Sequence, residues 1–153
     1  MYRIFISHAS PELREAKALK DWLVQQDPPL ANEIFLDAGM MRPGLLWKEQ
    51  LKQPMKNCEA VVCPTSKSWA ERPECVAEFR TAEYLDKRIF CARLEPSGED
   101  EQTNAWQRVD LFGSDEEIKI FPGDGGPPIA FPADSLQAFK EEIIKKGKEH
   151  VSR

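Results

Sequence analysis

The nine residues Arg3-Ile4-Phe5-Ile6-Ser7-His8-Ala9-Ser10-Pro11 spell a buried strand, a polar strand end and a helix start in immediate succession. Ile4-Phe5-Ile6 is apolar without alternation, which means burial on both faces, as in a parallel sheet covered by helices. Ser7-His8 breaks the run with polar side chains. Ser10-Pro11 then reads as an N-cap followed by proline at the first helical position. A strand that feeds straight into a helix is the first half of a βαβ unit.

The same grammar repeats outward from this stretch. Ile34-Phe35-Leu36, Ala60-Val61-Val62-Cys63 and Ile89-Phe90-Cys91-Ala92 are further short apolar runs, each too short for a helix. Between them lie helical patterns. Leu13, Ala16, Leu19, Trp22 and Leu23 form one stripe, which Asp27-Pro28-Pro29 stops. A second helix is expected from near Leu45, carrying Trp47, Leu51 and Met55, with Pro54 kinking or shortening it. A third begins at Pro73 and runs to about Lys87, with Cys75, Phe79 and Ala82 on one face. Strands alternating with helices specify an α/β domain with an open parallel sheet and right-handed crossovers.

After Leu94 the regularity decays into an acidic loop, Glu95 to Glu101. Val109-Asp110-Leu111-Phe112 is a fifth, edge strand. Ile118-Lys119-Ile120-Phe121 and Ile129-Ala130-Phe131 flank a Pro/Gly-rich turn and read as a hairpin. Asp134-Ser135 caps a last helix bearing Leu136, Phe139, Ile143 and Ile144. The domain spans residues 1–147, and 148–153 are a charged tail expected to fray.

With 153 residues the chain is the size of one domain. A chain of that size buries about 70% of its unfolded surface, so it needs no metal or disulfide staple. The net charge of −5 argues against a direct nucleic-acid partner, which wants a basic face. No apolar run approaches the ~18 residues of a membrane span, and the start lacks a signal peptide's pattern. Cys58, Cys63, Cys75 and Cys91 make no CxxC and fall mostly in or beside apolar runs. They read as buried free thiols of a reducing, cytoplasmic compartment. With only two histidines, His8 and His150, no zinc cluster is expected.

Ligands of open parallel sheets bind outside the carboxyl ends of the strands. Those ends carry Ser7-His8, Asp37, Thr65-Ser66 and Arg93. A response-regulator receiver would need an acidic pair after the first strand and an aspartate after the third, and both are missing. Gly123-Asp124-Gly125-Gly126 precedes two prolines rather than a helix, so it is no phosphate loop. No GxSxG elbow exists for a serine hydrolase. One carboxylate stands out. Glu78 lies early in the third helix, about 60° from the apolar stripe at ~100° per residue, and therefore near the rim of the sheet.

These residues together resemble the Toll/interleukin-1 receptor (TIR) domain family. Arg3 to Ser10 resembles its first signature box, and Ile34-Phe35-Leu36-Asp37 with the loop to Gly44 resembles its second strand and BB loop. Cys58 to Val62, Ser66-x-x-Trp69 and Cys75-x-x-Glu78 resemble the third strand and the segment after it. Lys87-Arg88-Ile89-Phe90 resembles the entry to the fourth strand. The later stretch from Trp106 resembles bacterial TIR domains at the N-terminus of multidomain STAND-ATPase or WD40-repeat proteins.

The resemblance implies a flavodoxin-like fold of about five parallel strands, with the hairpin inserted before the last helix. It further implies hydrolysis of NAD+ at the nicotinamide–ribose bond, with NAD+ as substrate and no separate cofactor or metal. Glu78 maps onto the catalytic carboxylate. His8, Asp37, Arg42, Ser66, Trp69 and Cys75 map around the substrate, Trp69 as a stacking surface or as core packing. Self-association through the BB loop, Asp37 to Gly44, is implied as the activating step, in immune or cell-death signalling. Two positions depart from the family: Glu74 stands where members often carry an aromatic, and Arg72 where they often have a small serine. A carboxylate at Glu74 near Glu78 would raise the latter's pKa. The alternative is a non-catalytic scaffold that acts only by homotypic contacts.

Overall fold

The computed structural model describes residues 3–36, 54–96, 108–113 and 116–145. The expected BB loop and the first part of the second helix lie outside the described residues, as do Leu45, Trp47, Leu51 and the charged tail. Five short strands pair in parallel: β1 (Ile4–Ile6), β2 (Ile34–Leu36), β3 (Ala60–Thr65), β4 (Arg88–Arg93) and β5 (Arg108–Asp110). Their spatial order is β2-β1-β3-β4-β5. The chain therefore moves one way from β1 to β2 and the other way from β3 onward. Right-handed crossovers then place the connecting helices on opposite faces.

Side-chain alternation divides the core accordingly. Ile4, Ile6, Ile34, Leu36, Ala60, Val62, Phe90 and Ala92 face one side. They meet Ala16, Leu19, Trp22 and Leu23 of α1 (Leu13–Gln26) and Leu136 and Phe139 of the last helix. Phe5, Phe35, Val61, Cys63, Ile89 and Cys91 face the other side. There they meet Trp69 of α2 (Lys67–Glu71) and Cys75, Phe79 and Ala82 of α3 (Pro73–Tyr84). Phe5 and Phe35 stack across the β1–β2 pair with ring centroids 5.1 Å apart. Each apolar strand is sandwiched, as continuous apolar runs require. Residues 54–57 are helical, and Met55 is buried on the α3 side.

Three helix boundaries differ from the sequence expectation, and β5 ends at Asp110, short of the expected Leu111-Phe112. The first helix does not start at Ser10-Pro11. A 3-10 turn, Ser10–Glu12, precedes α1 and is closed by Glu12 N–H donating to Ala9 O at 2.9 Å. The third helix stops at Tyr84 because Asp86 adopts φ +57°. Lys87 N–H then reaches Ala82 O at 3.0 Å and Asp86 N–H reaches Glu83 O at 3.1 Å, a Schellman closure. The last helix, α4 (Ala133–Lys140), begins before Asp134-Ser135 rather than being capped by them. Ala133 N–H donates to Glu116 O at 2.9 Å, and Ser135 Oγ is drawn away to Asp110 O at 2.6 Å. A π-helical turn, Glu141–Lys145, follows α4.

The hairpin forms as expected, from β6 (Glu117–Ile120) and β7 (Ile129–Pro132), with Ile118 opposite Phe131. It is a separate two-stranded sheet. Its turn is fastened to α1 by Arg14, whose Nε donates to Asp124 Oδ2 at 2.6 Å and whose Nη2 reaches Pro127 O. The guanidinium holds the Asp124 carboxyl down at about 2. Gly123 and Gly125, at φ +84° and +80°, provide the left-handed backbone that turns the chain on either side of Asp124.

Candidate functional site

The site is built on the end of β1, where the strand order reverses between β1 and β3. Ser7 continues the strand pairing by one residue, its N–H donating to Val62 O at 2.9 Å. Its carbonyl accepts from Trp69 Nε1 at 3.1 Å. Its hydroxyl donates to Glu78 Oε1 at 2.7 Å, joining residues 71 positions apart. Ser7 is 1% exposed and Glu78 6%.

Glu78 reaches this place because α3 starts abruptly. Arg72 is extended and Pro73 opens the first turn, where its missing N–H costs nothing. Cys75, Phe79 and Ala82 then press into the sheet, and Glu78 follows on the flank of that stripe. A carboxylate so deep in the protein is costly unless hydrogen-bonded. A hydroxyl donating to an ionised acceptor contributes roughly 1.5–3 kcal/mol. Cys63, on β3 beneath, has its thiol pushed well above the ordinary value, chiefly by burial, with the Glu78 charge adding to the effect.

Trp69 packs edge-on against Phe79, centroids 6.1 Å apart at 81°. At 1% exposure its indole is part of the core floor under the site. Ser66 caps α2, its Oγ accepting from Trp69 N–H at 3.0 Å. The same hydroxyl donates to the Glu12 carboxylate, which lies 2.7 Å away through Oε2. Burial, more than any neighbour, raises the Glu12 pKa. The Ser66 bond opposes that rise, while Glu15 and Glu95 add to it. Arg93, at the end of β4, is engaged sideways: its guanidinium grips both Asp110 oxygens at 2.9 and 3.1 Å and lies over the Phe112 ring.

The family model of the TIR domain matches residues 4–120. This chain belongs to the TIR domain family. A solved structure with the same fold is the TIR domain of the Toll-related receptor TRR-2 from the lower metazoan Hydra magnipapillata. It superposes with a TM-score of 0.58 at 15% identity, covering 72% of this chain and 84% of that one. No curated protein matches the chain significantly. The five-stranded parallel sheet flanked by helices is the flavodoxin-like TIR architecture.

Within this TIR domain, the fold gathers Ser7, Trp69 and Glu78 into one bonded group. Cys75 lies one turn before Glu78 and is buried in the α3 core. His8 follows Ser7 and is half-buried. Asp37 and Arg42 lie outside the described residues. Glu74 is exposed on α3, and Arg72 is half-buried at its start. Two participants escaped the sequence reading of the site, Ser7 as the carboxylate's partner and Glu12 as the partner of Ser66. Ser7 carried one signal, its position at a strand end beside the switch point. No helix among the described residues is long and apolar enough to cross a membrane.

Proposed function

We propose that this TIR domain hydrolyses the nicotinamide–ribose bond of NAD+, with Glu78 as the catalytic carboxylate. The observation that carries this reading is Glu78 itself, a nearly buried carboxylate at the switch point of the sheet, bonded to Ser7. Cleavage sends the C1′–N bonding pair to nicotinamide, which leaves as a neutral molecule. The ribose becomes oxocarbenium-like, and a fixed negative charge beside it stabilises that state. Water adds at C1′ and releases a proton, giving an ADP-ribose product. One carboxylate suffices, because a neutral leaving group needs no general acid. His8 and Ser66 flank the same end of the sheet. Asp37 and Arg42 belong to the BB loop, which we assign both to substrate and to contacts between copies.

In this reading the domain is active when copies assemble, in a cytoplasmic immune or cell-death type of signalling such as bacterial defence. All four cysteines are free and buried, which supports a reducing compartment. The departures at Glu74, exposed on α3, and at Arg72, half-buried at its start, favour a second reading, a scaffold that signals by homotypic contacts alone. Artificially clustered protein incubated with NAD+ separates the two. Nicotinamide release that falls at least about 100-fold in Glu78→Ala supports the hydrolase. Absence of release from clustered wild type, or full activity in Glu78→Ala, leaves the scaffold.

A further inference from the structure

The geometry points to Ser7 as the positioning residue of Glu78, a serine locked at all three of its polar groups that holds the carboxylate in one orientation. For its effect on turnover this role rests on the hydrolase reading above; the contact itself does not. A serine hydroxyl rotates freely, and a glutamate has three side-chain torsions, so a Ser–Glu bond alone fixes little. Here the backbone on either side of the hydroxyl is immobilised. The Ser7 N–H is tied to Val62 O in β3 and its carbonyl is tied to the Trp69 indole. The indole is in turn wedged against Phe79, the residue after Glu78. β1, α2 and α3 thus meet in a closed loop of contacts, and the Oγ–Oε1 bond of 2.7 Å is its last link. A reacting carboxylate needs this kind of support, because small misplacements are costly when charge must develop opposite it.

The test uses clustered protein and NAD+, with thermal melts to confirm folding of each variant. Ser7→Ala is expected to lower kcat about tenfold or more while leaving KM within about twofold. Ser7→Thr keeps the hydroxyl and restores most of the rate. Trp69→Phe keeps a ring against Phe79 but loses the N–H, and falls between the two. A readout independent of turnover is the side-chain carboxyl resonance of Glu78 in 13C-glutamate-labelled protein, assigned by its loss in Glu78→Gln. It is expected to move in Ser7→Ala and to return in Ser7→Thr.

If wild type turns over and folded Ser7→Ala matches it in kcat, the positioning role is overturned and the hydrolase stands. If wild type releases no nicotinamide, the hydrolase reading fails and the resonance alone decides whether Ser7 holds the carboxylate. An unmoved resonance in folded Ser7→Ala overturns the role in either case. Should Ser7→Ala fail to fold, Trp69→Phe decides: an unchanged rate together with an unmoved resonance overturns it.

Discussion

Glu12 and Glu78 are both glutamates bonded to a serine near the carboxyl ends of the sheet, yet only Glu78 was visible in the sequence. Helical spacing is local, so α3 alone puts Glu78 beside the Cys75–Phe79 stripe. The Ser66–Glu12 bond spans 54 positions, and no local pattern encodes it. Glu12 also offers a clean pH test. Its pKa is raised in the folded protein, mainly by burial. A carboxylate raised on folding favours the fold when protonated, and that contribution is lost as pH rises from the unfolded value through the folded one. The ionised form is therefore the strained one at neutral pH. Glu12→Gln keeps an oxygen that accepts from Ser66 and removes the charge. Its melting temperature is expected to exceed that of wild type at pH 7, with the gap closing below about pH 4. A gap that is constant with pH would locate the effect elsewhere. The same long-range logic explains Ser7 and Trp69. The indole was an open choice between stacking surface and core, and only the fold, by laying α2 over the β1 end, puts its N–H on Ser7 O.

At the scale of elements, the strands and the longer described helices were legible from apolar periodicity, and prolines marked the end of α1 and the start of α3. The five-residue α2, too short to show a stripe, and the other helix ends were not legible. Caps compete with tertiary partners for the same polar groups. Ser135 reads as part of a cap until β5 presents the Asp110 carbonyl to it. The end of α3 is the informative case. A Schellman closure wants glycine at the left-handed position, and this chain has Asp86 there at φ +57°. Left-handed backbone costs an L-residue about 1–2 kcal/mol, less for aspartate than for most. Glycine forgoes that cost but loses more chain entropy on folding. Asp86→Gly is therefore expected to stabilise by about 0.5 kcal/mol and Asp86→Ala to destabilise by about 1 kcal/mol. Urea denaturation would read both as shifts of midpoint at constant slope. A lower midpoint for Asp86→Gly would mean that the aspartate side chain contributes a bond worth more than the strain. The Lys87 ammonium donates to Lys56 O and Cys58 O at 2.7 and 2.6 Å and so holds the turn through contacts that do not involve residue 86.

The whole molecule is a sheet with a separate apolar layer on each face, and all four cysteines belong to the layer under α2 and α3. Sequence alone marked them as buried thiols but gave no reason for them to share a face. The reason is the register: Cys63 and Cys91 are partners across β3 and β4, and Cys75 comes down on the same side from α3. Burial pushes the Cys58 thiol up to about 11, the Cys91 thiol to about 12 and the Cys63 thiol well above its ordinary value. A thiol reagent at pH 8 therefore meets no accessible sulfur and, at Cys58, Cys63 and Cys91, little thiolate in the folded state. Native protein is expected to leave all four unreacted over minutes, and denatured protein to react fully. The four sulfurs then report the opening of one layer. Phe79→Ala and Phe139→Ala each remove a buried ring, at a cost of about 3–5 kcal/mol, from opposite faces of the sheet. If the α3 layer opens as its own unit, Phe79→Ala speeds thiol reaction well beyond Phe139→Ala at matched denaturant stability. Equal acceleration would instead show that the sheet and both layers open as one cooperative body. The layer that carries Glu78 would then be no looser than the rest of the fold.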